Sequence, residues 1–156
     1  MHPFFSLFNM QIVKHPNKIL HQKLKEVKEI TLEIRELILA MRQKMVKSQG
    51  VGLAANQIGI DLAIFVVDKK LAEENGVPDA YINPEITEYS KDQGEVEEGC
   101  LSLPEYFAII LRAKKIKIKA LDENGEKIKI KAKGFLARVL QHETDHLNGV
   151  LIKEKS

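Results

Sequence analysis

The chain has 156 residues, 44% of them hydrophobic and 29% charged, a composition that suits one domain with a buried core and excludes a disordered chain. Its 24 basic side chains nearly cancel 22 acidic ones, leaving a net charge of +2, so no global nucleic-acid or membrane charge signature exists and any basic patch is local. No apolar run approaches the roughly 18 residues needed to span a bilayer, and the opening MHPFFSLFN lacks the basic lead-in and continuous apolar core of a secretory signal.

These features predict a cytoplasmic domain without a membrane partner. Neither repeats nor linkers divide the chain, so one catalytic-sized domain is expected over 10–156. Residues 1–9 read as an extension, and Met10 serves equally well as the start codon. Residues 10–19 look extended. From Leu20 to Lys47, apolar residues at Leu20, Leu24, Val27, Ile34, Ile38, Met41 and Met45 follow three- and four-residue steps and predict a helix. Thr31 interrupts the stripe, and the helix should stop before Gly50. The segment AIFVVD (63–68) suits a buried strand, and AYINPEI (80–86) a strand broken at Pro84. The segments IKIKALD (116–122) and KIKIKAK (127–133) alternate apolar and basic residues around ENG (123–125), a hairpin signal. One face of that hairpin would bury Ile116, Ile118, Ile128 and Ile130. The final segment, GFLARVLQHETDHLNG (134–149), steps as a second helix with Phe135, Val139, His142 and His146 along one side. This order of elements predicts an α+β fold in which a leading helix and short antiparallel strands pack around the helix that carries the HExxH pattern.

That pattern is His142-Glu143-Thr144-Asp145-His146. Histidines at i and i+4 share a helix face, so both imidazoles can reach one divalent ion, and Glu143 can aim its carboxylate at a water beside the ion. A surface helix with two chance histidines is the plain alternative. Open catalytic sites commonly take three protein ligands. Ile152 occupies the downstream position where one protease class places its third ligand, and Glu154 is too close for the role used by another. A third donor is therefore sought upstream. The single cysteine, Cys100, lies in EEGCLSLPE (97–105) beside Gly99, which allows close backbone approach. Thiolate plus two imidazoles suits zinc, ferrous iron, cobalt or nickel. Cys100 could also be a small buried hydrophobe, or a nucleophile with His142 as its base.

Taken together, GVGLAANQIG (50–59), EEGCLSLPE and QHETDHLNG (141–149) resemble, in order and spacing, the three signature motifs of peptide deformylase. The resemblance runs from about Met10 to Ile152. It implies a metallohydrolase that removes the formyl group from the initiator formylmethionine of nascent chains and releases formate. By the same resemblance Cys100, His142 and His146 hold one divalent metal per chain. Ferrous iron is the physiological ion so implied, with zinc, nickel or cobalt possible in purified protein. Glu143 would be base and then acid, and the Gln57 amide and the Leu101 backbone N–H would face the formyl oxygen. Val51 and Gly52 would pair with the substrate as an added strand, and Gly99 is expected to be substrate-binding as well. Phe135 and Val139 would line the methionine pocket or simply pack in the core.

Glu98 and Arg112 match a structural ion pair of the family. Phe107 stands where many members carry an Arg near the substrate channel. Many members also continue past the position of Ser156 into a long helix, so no ribosome contact through such an extension is carried over. The hairpin lysines read either as a solvated face or as a transient ribosome contact, and no specific nucleic acid is expected. The rival readings are a related metallo-amidase with another acyl substrate and a non-catalytic binder of nascent chains.

Overall fold

A computed structural model describes residues 10–156; the expected extension at 1–9 lies outside the described residues. The chain first makes a 3-10 turn at Lys18–His21, then α1 (Leu32–Lys47), β1 (Gly52–Ala54) and a second 3-10 turn at Ala55–Ile58. After these come β2 (Ile64–Val67), α2 (Lys69–Asn75), β3 (Ala80–Tyr89), β4 (Gln93–Cys100) and β5 (Leu103–Ala113). The last elements are β6 (Lys115–Leu121), β7 (Lys127–Lys133), α3 (Gly134–Leu147) and a short turn at Ile152–Glu154. One antiparallel sheet has the order β1-β2-β3-β6-β7, and β4 and β5 pair as a separate ribbon. The α+β class is as the sequence predicts. No helix among the described residues is long and apolar enough to cross a membrane.

Both α1 and α3 pack on β1 and β2, and all four residues of β2 are buried. From α1 come Leu37, Ile38, Met41 and Met45, and from α3 come Leu136, Ala137, Val139 and Leu140. Arg42 anchors the outer side of α1 through Asp79 at 2.6 Å and Glu123 at 3.0 Å. A smaller cluster of Leu20, Leu103, Ile110, Leu151 and Ile152 holds the β4-β5 ribbon against the first and last turns.

The leading helix is shorter than its periodicity predicts. It begins at Leu32 because the Thr31 hydroxyl accepts the Ile34 N–H at 3.3 Å, an N-cap that turns the interruption in the stripe into a start signal. Leu24 and Val27 are buried as expected, but in irregular chain whose polar groups find distant partners. The Leu24 N–H donates to the Leu147 carbonyl, and Val27 exchanges two bonds with the side-chain amide of Asn83, each 2.8 Å. Gln49 rather than Gly50 takes the left-handed conformation after α1, with φ 60°.

Pro84 does not end its strand. A register shift between Ile82 and Glu85 absorbs it, with Asn83 at φ 52°. The basic hairpin forms as predicted, Ile118 facing Ile130 across the strands. Ile116 and Ile118 are buried, whereas Ile128 and Ile130 are only half-buried, because β7 is the sheet edge. Lys117 and Lys119 meet Glu88 and Glu85 of β3 at 2.8 and 3.3 Å. The elements α2, β4 and β5 have no counterpart in the sequence reading. Helix α3 closes at Gly149, φ 75°, where a Cβ would meet the backbone of His21 and Gln22 at 2.6 Å.

Candidate metal centre and active site

Helix α3 places His142 and His146 one turn apart, and the end of β4 brings Cys100 to them from the other side. Cys100 Sγ lies 3.3 Å from His146 Nε2, which lies 3.2 Å from His142 Nε2. All three ligand atoms fall within 4.8 Å of one another. A tetrahedral ion with bonds of about 2.0 Å to nitrogen and about 2.3 Å to sulfur separates its ligand atoms by about 3.3 to 3.6 Å. The donor set and its spacing therefore fit one such ion.

Behind His142 stands Glu98, whose Oε1 lies 2.9 Å from His142 Nδ1. A carboxylate on that nitrogen holds the proton there and leaves Nε2 with its lone pair directed at the cluster. Glu98 is itself held by Arg112, at 2.6 and 2.9 Å, and by Arg138 at 2.5 Å. Arg112 continues to Asp145 at 2.8 Å. The ion pair expected between Glu98 and Arg112 is thus part of a buried network that ends on a candidate ligand. Burial works against the Glu98 charge, but the bonds from His142 and Arg112 and the Arg112 charge outweigh it and hold the carboxyl well below the usual carboxylate range. His146 is held by packing: its Nδ1 is buried without a hydrogen-bond partner among the described residues, while its carbonyl accepts from Asn56 Nδ2 at 2.7 Å. Burial lowers its pKa well below the usual value, which keeps it neutral as a ligand requires.

Glu143 points to the same side. It is 3% exposed, its Oε1 has no hydrogen-bond partner among the described residues, and burial pushes its carboxyl up to about 7. Such a value suits a group that takes and returns a proton near neutral pH. Gly52 makes room for it, since a Cβ there would meet Glu143 Oε2 at 2.6 Å and Cδ at 2.8 Å. What approaches the bare Gly52 backbone in this structure is therefore Glu143. Gly52→Ala should displace the carboxylate and lower kcat by about 100-fold, with metal content unchanged; a near-native rate would show that Glu143 is free to relocate.

Gln57 is buried at the end of the turn that follows β1. Its Oε1 accepts the Ala54 N–H at 3.0 Å, which aims Nε2 toward Ser102 Oγ at 3.2 Å and Cys100 Sγ at 3.7 Å. One end of the amide satisfies local backbone and the other reaches the cluster.

A cavity of about 480 Å³ opens over these atoms. Its walls include Val51, Gly52, Gly99, Leu101, Phe135 and Val139, together with Cys100, His142, Glu143 and Gln57. All the expected site residues thus lie on this cavity except His146, which is sealed beneath it at 1% exposure. Phe135 is 56% exposed and Val139 only 4%, so they stand at its rim and in its wall respectively. Phe107 lies across Gly99, where a Cβ would meet its ring at 2.7 Å.

Ser102, Arg138, Asp145 and Asn56 were not picked out from the sequence. Arg138 carried a usable signal, four residues before His142 and hence on its face of the helix. The others carried none, because their partners lie 33 to 90 residues away.

A family model described as polypeptide deformylase matches residues 9–156. A peptide deformylase of Thermodesulfovibrio yellowstonii is 42% identical over 148 residues, covering 94% of this chain and 88% of the relative. One from Borreliella burgdorferi is 45% identical over 143 residues, covering 91% and 84%. The crystal structure of peptide deformylase from Thermotoga maritima superposes with a TM-score of 0.87 at 40% identity, covering 94% of this chain and 96% of that one. A deformylase from Synechococcus elongatus in complex with actinonin gives 0.88 at 38% identity, covering 94% and 79%. With the family model spanning every described residue and relatives this similar over nine-tenths of its length, the chain belongs to the polypeptide deformylase family.

Proposed function

We propose that this metal-dependent deformylase acts through Cys100, His142 and His146 as ligands of one divalent ion, Glu143 as the proton carrier, and Gln57 with the Leu101 N–H as donors to the formyl oxygen. The reaction is hydrolysis of the N-formyl amide of formylmethionyl peptides to formate and a free amine. One observation carries the residue assignment: a thiol and two imidazole nitrogens converge within 4.8 Å beside a buried carboxyl.

A divalent ion in that site supplies a Lewis acid and lowers the pKa of water toward about 7. Glu143 takes the proton of the attacking water and delivers it to the leaving methionine nitrogen, so that one carboxyl serves both halves of the step. The Gln57 amide and the Leu101 N–H stabilise the oxyanion as the carbonyl becomes tetrahedral, each donor supplying about 3–4 kcal/mol. Glu98 keeps the His142 ring in the tautomer that ligates. Val51 and Gly52 offer strand backbone to the peptide, Gly99 contributes to the peptide-binding wall with the Phe107 ring packed over it, and Phe135 and Val139 contact the methionine side chain. Binding of actinonin, as in the Synechococcus elongatus relative, is expected at the same cavity.

Ferrous iron is the proposed resident ion, with zinc, nickel or cobalt able to replace it; thiolate with two imidazoles accepts all four. A formylmethionyl substrate on nascent chains supports a cytoplasmic site of action. The hairpin lysines, two of them paired with Glu88 and Glu85, are read as a solvated face, with transient ribosome contact as the alternative. The test is formate release from formyl-Met-Ala-Ser by anaerobically purified protein, with and without a chelator. Chelator-sensitive release, lost in air, supports the whole reading; no release from metal-loaded protein overturns it. Cys100→Ser should lower metal retention and formate release together, and full metal occupancy in that variant would remove Cys100 from the ligand set.

A further inference from the structure

Outside the active site the chain carries a second histidine pair. His15 Nδ1 lies 3.1 Å from His21 Nε2, with ring centroids 5.1 Å apart and planes at 67°. The corresponding values for His142 and His146 are 3.2 Å, 4.9 Å and 66°. The likeness extends to the residue behind the ring. Glu154 Oε1 lies 3.3 Å from His21 Nδ1, as Glu98 Oε1 lies 2.9 Å from His142 Nδ1. Neither His15, His21 nor Glu154 has a part in the proposed reaction.

The geometry points to a second, structural metal site in which His15 Nδ1 and His21 Nε2 bind a divalent ion that favours imidazole, such as zinc, with Glu154 orienting His21. The carboxylate favours a proton on His21 Nδ1, which leaves Nε2 with its lone pair. A proton on the far nitrogen of His15 leaves Nδ1 with one too. The ion then replaces the single shared proton that otherwise links the two rings. The observed separation of 3.1 Å is close to the spacing of about 3.3 Å between two nitrogens on a tetrahedral ion. Both rings are partly exposed, so water completes the coordination.

The position gives the site a consequence. The His15 N–H donates to the Ser102 carbonyl at 2.9 Å, and the Val13 N–H to the Gln57 carbonyl at 2.7 Å. The segment carrying His15 therefore lies against the two residues whose side chains bond to each other beside Cys100. An ion joining His15 to His21, itself backed by the last turn through Glu154, braces that segment against the floor of the active site.

Zinc binding to untagged protein already holding one equivalent of ion separates this site from the catalytic one. Calorimetry should find a second equivalent, and the thermal unfolding midpoint should rise as that equivalent binds. His15→Gln and His21→Gln should each remove the second equivalent and its thermal shift while keeping the first, and Glu154→Gln should weaken it by about tenfold. Cys100→Ser should do the reverse, losing the first equivalent and keeping the second. Failure of formate release would then count against the proposed reaction alone. A wild-type protein that binds only one equivalent overturns the second site, as does a second equivalent that survives in the His15→Gln, His21→Gln double variant.

Discussion

Glu143→Gln should lower kcat for formyl-Met-Ala-Ser by about 100- to 10,000-fold, the range associated with a positioned proton carrier. The substitution keeps the volume of the side chain in a place with no room to spare, because Gly52 already lies against it. It removes only the ability to accept a proton and return it. Since Glu143 is not among the three converging ligand atoms, metal content should stay at the wild-type level and KM should change little. Rate measurements on metal-matched enzyme check this. A rate within a few fold of wild type would take the proton-carrying role away from Glu143, and loss of metal would make it part of the coordination shell.

Glu98→Ala is expected to have the largest effect on stability. A single carboxylate accepts from Arg112 twice, from Arg138 and from His142. Removing it leaves two guanidinium groups, 2% and 12% exposed, without their shared counter-charge. Breaking one side of such a buried network costs about 3–5 kcal/mol, to be read as a lower midpoint in denaturant. The freed His142 ring should also bind metal about 10- to 100-fold more weakly.

The same carboxylate gives stability an acid dependence. Its folded pKa lies below the ordinary value, so its contribution is complete above the unfolded pKa of about 4.3 and is lost as pH falls from there toward the folded value. Glu98→Gln should flatten that part of the stability profile. An unchanged acid slope in the variant would place the dependence on other carboxyls. Rescue of stability without rescue of metal affinity in Glu98→Gln would separate the two roles of this side chain.

Much of the site was legible because its parts are local in sequence. Histidines four apart on a helix must share a face, and a glutamate between them must lie beside the first ligand. Period-two alternation around ENG likewise marked the basic hairpin, whose register the strand pairing then supplied. The leading helix was misread for a complementary reason. Periodicity reports burial, and Leu24 and Val27 are buried, but their backbone bonds go to Leu147 and Asn83, which no local pattern can announce. The ribbon of β4 and β5 was equally hidden. Its outer face carries apolar residues such as Phe107, Ile109 and Leu111, so the alternation that marks a half-buried strand is absent.

What the sequence by itself determined is the chemistry available: one thiol, a paired imidazole motif, a carboxyl between them, and the family to which the three motifs point. Tertiary structure alone decided how those groups are tuned. The distance from Cys100 to His146 is set by a ribbon and a helix 46 residues apart, Glu143 is raised toward neutrality by burial, and Gly52 is needed because Glu143 packs against its backbone. Arg112, Arg138 and His142 all meet on one carboxylate. Each of these depends on which surfaces exclude water from one another. That is a property of the packed core, and local residue pattern does not contain it.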